Sequence, residues 1–325
     1  MNLITVCAIV AAVGFVLGAI LYKIFIPLLR KVKLGQKILE IGPSWHKSKE
    51  GTPNLGGVIF IIACLVAFGV GLLFVENLGN AIQIALVLGL ALSQGLIGFV
   101  DDYVKLFKKR NKGLSASQKM VLQFITAAGY LALRAYHGAD TIIEFPWGAS
   151  VDFGVFYYVI MLLVIVYIIN CANLTDGIDG LAGSIALIIT VMFFLFGINH
   201  EFLEFSLTSS ALFGALLSFL VFNFYPAKIF MGDTGSLFLG GFIVALTMLT
   251  GNEFLLLLVG IIWIIEGLSV VLQVLSFKLT GKRIFKMSPI HHHFEKCGWS
   301  EVKIVAVFSL ITVIFSTLAY YLLII

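Results

Sequence analysis

Charge is scarce in this 325-residue chain: Asp, Glu, Lys and Arg together make up 12% of it, about half the roughly 25% of a soluble globular domain. A soluble fold is thereby excluded. Proline is rare, with six residues, and cysteine rarer, with four. Cys7, Cys64, Cys171 and Cys297 stand far apart with no C-x-x-C spacing, which argues against a metal centre built on them and reads as buried thiols. No repeat of 20–50 residues, low-complexity stretch, Walker loop or Ser-His-Asp elbow is present. The first apolar run begins at Asn2 without a basic leader, so Leu3 to Tyr22 is expected to be a retained span.

What the chain has in abundance is apolar sequence. Hydrophobic residues make up 60% and the mean hydropathy is +1.08. Runs long enough to cross a bilayer, which takes about 20 residues per helix, fall near 3–22, 55–75, 81–100, 118–136, 155–170, 180–197, 207–224, 233–250, 254–277 and 303–325. These runs are apolar on all faces, so they do not carry the alternation of a membrane β-barrel. The expected fold is all-α: a polytopic membrane protein of ten transmembrane helices, forming one domain over residues 1–325.

Ten spans put both termini on one side of the membrane. The connections then sort into two sets, and one set holds 20 of the 21 Lys and Arg residues. By the positive-inside rule that set is cytoplasmic and the termini are extracytoplasmic. The other set carries Glu76, Asp140, Glu144, Asp152, Glu201, Glu204 and Glu253, with Arg134 near the outer end of the fourth span.

Five aspartates gather at inner span ends, where acids from several helices can converge without the cost of a mid-bilayer charge. Asp101 and Asp102 close the third span in GFVDDYVKLFKKR. Two acids at a helix C-terminus oppose the macrodipole and need a positive neighbour; Lys105, Lys108, a Mg²⁺ ion or a substrate group would each serve. In NCANLTDGIDGLAG, Asn170, Asn173, Asp176 and Asp179 recur every three residues, so a helical turn would put them on one face. Oxygen donors so arranged suit Mg²⁺ and phosphates, although Asp176-Gly177 also reads as a turn and Asp179 as a helix cap.

In NFYPAKIFMGDTGSLFLGG, Asn223, Lys228 and Asp233 precede the eighth span, whose N-terminus would attract phosphate and keep Asp233 ionised for a metal, although Asp233 also reads as an ordinary N-cap. MSPIHHHFEKCGW carries His291, His292 and His293. Adjacent helical residues point about 100° apart, so the three do not suit one zinc ion, and phosphate contact or proton transfer fits better. HKSKEGTPNLGG, with Lys47 and Lys49, either clasps an anion or merely anchors the second span. Glu266 sits mid-span in WIIEGLSVVLQV, either bent into the cleft or structurally paired. From the residues alone, this is a site for Mg²⁺-assisted transfer of a phosphorylated group at the membrane surface.

The motifs GFVDDYVK, NLTDGIDGLAG, NFYPAKIFMGDTGS and PIHHHFE resemble those of the bacterial phospho-N-acetylmuramoyl-pentapeptide-transferases, within the polyprenyl-phosphate sugar-1-phosphate transferase superfamily, and the resemblance covers the whole chain. It implies an enzyme that converts UDP-N-acetylmuramoyl-pentapeptide and undecaprenyl phosphate to lipid I and UMP in peptidoglycan synthesis. It also implies a Mg²⁺ cofactor, a multi-pass homodimer in the bacterial inner membrane and a cytoplasmic cleft; no nucleic-acid partner is expected. Catalysis would fall on Asp101, Asp102, Asp179 and His291, and Mg²⁺ on Asp233 and Asp176. Substrate contacts would fall on Lys47, Lys105, Lys119, Asn170, Asn173, Asp176, Gly177, Asn223, Phe230, His292 and His293, with Gly177 and Phe230 at the uracil.

Three rival readings have weaker support. A sister transferase using UDP-N-acetylglucosamine would keep the aspartates but space its histidines more widely. A secondary transporter would carry mid-bilayer charges in broken helices, often in two matching halves, which are absent. An intramembrane aspartyl protease would carry G-x-G-D, whereas Phe230, Met231 and Gly232 precede Asp233.

Overall fold

The computed structural model describes residues 1–31, 49, 51–75, 80–107, 113–145 and 147–324. Among them are twelve helices: α1 (Leu3–Lys31), α2 (Gly56–Leu72), α3 (Ala81–Phe107), α4 (Ala116–Tyr136), α5 (Val155–Thr175), α6 (Leu181–Asn199), α7 (Leu203–Asn223), α8 (Gly232–Leu249), α9 (Leu255–Val259), α10 (Ile261–Thr280), α11 (Ile290–Lys296) and α12 (Glu301–Ile324). Eight of these, α1, α3, α5, α6, α7, α8, α10 and α12, are long and apolar enough to cross a membrane. Of the other two long helices, α2 is apolar but has only 17 residues. The 21-residue α4 carries Gln118, Lys119, Gln123 and Arg134.

Burial divides the helices into a centre and a rim. In α8, 83% of the apolar window is buried and in α7 78%, against 28% in α1. Around this pair, α3 and α5 pack on α8, α1 and α6 pack on α7, and α2 lies against both. The rim helices expose rows four residues apart: Ile20, Ile24 and Leu28 on α1, and Leu310, Ile314 and Leu318 on α12. Such stripes have no use for water and face lipid readily.

Where charge was expected to end a span, the helix continues. The third run, expected to stop at residue 100, extends to Phe107, so Asp101 and Asp102 lie inside α3, a turn and more before its end. A helix leaving apolar surroundings keeps its own hydrogen bonds, and Lys105 one turn on supplies the opposing charge. The fifth run likewise continues to Thr175. The ninth breaks at Gly260, which separates α9 from α10.

One departure from an all-α fold is a short antiparallel hairpin between α4 and α5. It pairs β1 (Ile142–Glu144) with β2 (Ser150–Asp152), in register Ile142 to Asp152. Nearby, Arg134, the basic residue outside the lysine-rich set, is held 3.1 Å from Glu253 Oε1, and the Tyr157 hydroxyl donates to the same oxygen at 2.6 Å. Of the four cysteines, Cys7, Cys64 and Cys171 are buried as expected, but Cys297 is exposed, because it follows α11 on a polar connection.

The contact between α3 and α8 is the tightest structural requirement near the polar cluster. Any side chain at Gly98 would collide with the backbone of Asp233 and Thr234, whereas Gly89, on the same helix, has open space where a Cβ would stand. Overpacking of this kind costs about 1–3 kcal/mol. Gly98→Val is therefore expected to lower the thermal unfolding midpoint of the detergent-solubilised protein, and Gly89→Val to leave it unchanged; equal midpoints for the two variants would contradict this packing.

Candidate active site

The first turn of α8 begins at Gly232, whose φ of +71° is a left-handed value that suits glycine. A helix start leaves amide donors without intrahelical partners, and Met231 before it provides no side-chain cap. Asp102 fills that role from α3. Its Oδ2 accepts from Thr234 N at 2.9 Å and from Thr234 Oγ1 at 2.7 Å, and its Oδ1 accepts from Asp233 N at 3.3 Å. The carboxylate is buried, at 1% exposure, and sits at the positive end of the helix dipole.

With its backbone fixed in this way, Asp233 presents its side chain to three helices. Oδ2 accepts from Lys105 Nζ of α3 at 2.9 Å and from Lys119 Nζ of α4 at 3.0 Å, and Oδ1 accepts from Asn173 Nδ2 of α5 at 2.8 Å. The Asn173 amide also bonds Ser236 Oγ at 2.7 Å. Asp101 completes the cluster. Its Oδ2 lies 2.5 Å from Lys105 Nζ and its Oδ1 accepts from Leu114 N at 2.7 Å.

One oxygen from each of Asp101, Asp102 and Asp233 lies within 4.8 Å of the others. The donors are all hard carboxylate oxygens, the set that Mg²⁺ takes. The residues present therefore fit the ion, through Asp101, Asp102 and Asp233. Asp176, expected as a second ligand, is not in this group. It caps the C-terminus of α5 nearby, and burial pushes its carboxyl up to about 8, with the negative charges of Asp233, Asp102 and Asp179 adding to the effect.

The repeat Asn170, Asn173, Asp176, Asp179 does not form one helical face, because α5 ends at Thr175. Asn170 turns to α4, donating to Gln123 Oε1 at 2.9 Å, while Asn173 faces Asp233. Asp179 lies beyond the helix and is not one of the three grouped aspartates. Its Oδ1 pairs with Lys49 Nζ at 2.7 Å and its Oδ2 accepts from Ala227 N at 2.8 Å. Lys49 also reaches Glu301 Oε2 at 2.7 Å, and that oxygen accepts from Asp179 N at 2.9 Å. Lys49 is thus committed to two carboxylates.

Asn223 is buried with both ends of its amide on backbone: Oδ1 accepts from Gly180 N at 3.0 Å and Nδ2 donates to Ile229 O at 2.9 Å. It ties the loop after α5 to the loop before α8. Phe230 is half-buried in that second loop, where its N donates to Pro53 O and its O accepts from Gly56 N. Lys47 lies outside the described residues.

The three adjacent histidines diverge, as their helical spacing requires. His291 Nδ1 lies 3.0 Å from Glu266 Oε1, with both side chains fully buried. His292 Nδ1 lies 2.6 Å from Glu295 Oε2. His293 Nδ1 accepts from Lys286 N at 3.1 Å. Thr234, Gln123 and Glu301 were not expected as partners. The threonine beside Asp233 and a glutamine inside an apolar run are signals a closer reading would have caught, but no spacing links Glu301 to Asp179, 122 residues away.

Comparison with known proteins identifies the family. Residues 84–251, which hold all five aspartates, match the model of glycosyl transferase family 4. The phospho-N-acetylmuramoyl-pentapeptide-transferase of Clostridium perfringens strain 13 is 46% identical over 309 residues, covering 95% of this chain and 96% of that protein. The protein of the same name from Bacillus subtilis strain 168 is 45% identical over 296 residues, 91% of each chain. That from Shouchella clausii is 43% identical over 315 residues, 96% of each. The resemblance carried by the aspartate and histidine motifs thus extends over nearly the whole length, and the chain belongs to glycosyl transferase family 4, among the phospho-N-acetylmuramoyl-pentapeptide-transferases.

Proposed function

We propose that this protein transfers phospho-N-acetylmuramoyl-pentapeptide from its UDP conjugate to undecaprenyl phosphate, releasing UMP and forming lipid I. The observation that carries the proposal is the cluster of Asp101, Asp102 and Asp233, clamped by Lys105 and Lys119 at one end of a bundle of apolar helices. A water-soluble nucleotide sugar and a lipid-borne acceptor meet at such a membrane edge. The near full-length similarity to proteins named for this reaction supports the same reading.

The proposed topology is ten crossings by one domain, with α2 and α4 joining the eight long apolar helices. Both termini face outward and the carboxylate cluster faces the cytoplasm of a bacterial inner membrane. The lysine-rich connections at the cluster's end of the bundle support this orientation. A homodimer is the proposed assembly.

In the transfer, an oxygen of the acceptor phosphate forms a bond to the sugar-bearing phosphorus. The bond from that phosphorus to the bridging oxygen breaks, and the electron pair leaves with UMP. A phosphate monoester is already ionised at neutral pH, so direct attack needs no covalent enzyme intermediate. Asp101, held by Lys105 and the Leu114 amide, orients the acceptor. Lys105 and Lys119 offer ammonium donors to phosphate oxygens, and Asp102 keeps the first turn of α8, with Asp233, in place. Mg²⁺, held by Asp101, Asp102 and Asp233, would supply charge neutralisation for the departing phosphate.

The test is UMP release by detergent-purified protein given undecaprenyl phosphate and UDP-N-acetylmuramoyl-pentapeptide. Release is expected with Mg²⁺, abolished by EDTA and restored by added Mg²⁺, with none from UDP-N-acetylglucosamine. Release from the glucosamine substrate alone would move the protein to the sister reaction. Absence of release from either would overturn the transferase reading, and EDTA-insensitive release would remove the metal from it. Asp101→Asn and Asp233→Asn are each expected to lower kcat by at least about 10²-fold, the scale of a lost acid–base or orienting group, with unfolding midpoints preserved, whereas Asp102→Asn, which weakens the cap on α8, is expected to lower kcat and the unfolding midpoint together. Near-full activity in any one variant would remove that residue from the site.

A further inference from the structure

Glu266 and His291 form a buried pair that the transfer described above leaves unused. Glu266 lies in the second turn of α10, and His291 opens α11 after the intervening loop; both are 0% exposed. Their contact, His291 Nδ1 to Glu266 Oε1, is 3.0 Å. The other ring nitrogen, Nε2, has no hydrogen-bond partner among the described residues. It is turned toward Gly177, between Asp176 and Asp179, so closely that any side chain at Gly177 would collide with it.

We propose that Glu266 is a positioning residue that acts through His291, fixing the ring so that Nε2 is presented at the Asp176–Asp179 segment of the cleft. The inference rests on the transferase reading for what Nε2 meets there, an oxygen of the substrate diphosphate. With Glu266 Oε1 as the acceptor of the contact at Nδ1, the ring keeps its proton on Nδ1 and turns Nε2 to the loop. Without that partner the ring is free to turn about its side-chain bonds, and Nε2 loses its direction. The position of Glu266 also accounts for a carboxylate inside an apolar helix, where an unpaired acid is costly.

Three readouts test the pairing. ¹⁵N NMR of the histidine-labelled protein, with His291 assigned from the His291→Gln difference, is expected to show a protonated Nδ1; a ring carrying its proton only on Nε2 overturns the proposal. Glu266→Leu, which keeps the bulk in an apolar helix and removes the acceptor, is expected to lower kcat about 10- to 100-fold, the scale seen when the partner that orients a metal-bound histidine is lost, while KM for the nucleotide sugar and the unfolding midpoint hold; Glu266→Gln, which keeps an acceptor oxygen, is expected to recover most of the activity. Glu266→Leu in a His291→Gln background is expected to cause no further loss.

Unchanged kcat in Glu266→Leu, or an equal additional loss in the double variant, overturns the positioning role. If wild-type protein releases no UMP, the transferase reading fails by itself, and the NMR result still decides the pairing.

Discussion

The buried Asp102 carboxylate on the first turn of α8 is the interaction on which the geometry of the site depends. A carboxylate removed from water costs several kcal/mol unless its oxygens are satisfied. Here two backbone amides, one hydroxyl and the positive end of a helix meet that need. The dependence also runs in the other direction. Because α8 is buried along nearly its whole length, water is poorly placed to satisfy its first amides, and α8 has no side-chain cap of its own. Asp102 reaches it only because Gly98, one turn earlier on α3, lets the two backbones come together. A single contact therefore sets the spacing of α3 and α8 and fixes the backbone that carries Asp233.

Asp233 emerges from that fixed turn into a balance of charge. Three carboxylates face two ammonium groups, which leaves the cluster one negative charge in excess. Lys105 divides its donors between Asp101 and Asp233, and Lys119 gives one to Asp233. An ammonium has three donors, so each lysine can hold the cluster together and still address a phosphate oxygen. The excess negative charge also reaches the neighbouring loop, where Asp176 is pushed up to about 8 by burial and by the surrounding carboxylates. Such an arrangement favours an arriving cation, and the lysines favour an arriving phosphate.

The sequence marked the members of the carboxylate cluster more plainly than their connections. Hydropathy placed the ten long helices found among the described residues, because each rests on a local run of residues. Asp101, Asp102 and Asp233 were legible because acids at the ends of apolar runs have few other uses. The helix ends were misjudged where charge stood in for a terminus: α3 continues past Asp102, since leaving an apolar environment does not break a helix. Asp179 was expected beside the other aspartates on the strength of a three-residue period. That period has meaning only while the helix lasts, and α5 ends before Asp176. The partners Lys49 and Glu301 come from distant parts of the chain, and no local pattern encodes such a pairing.

The histidine segment shows how a polar residue in an apolar helix organises sequence that follows it. Between α10 and α12 the chain settles Ile290, Phe294 and Trp299 on the apolar core. Two polar side chains of α10 anchor it further. Gln273 accepts from the amides of Ile284 and Phe285 and donates to the carbonyl of Phe285, and Glu266 receives His291 seven residues earlier along the same helix. Each anchor satisfies a group that would otherwise be costly to bury, so α10 and the segment hold each other in place. The histidines consequently stand on a framework separate from the aspartates, outside residues 84–251 that the family model matches. Among the described residues, the loop after α5 and the histidine segment come together where Gly177 leaves room for the His291 ring.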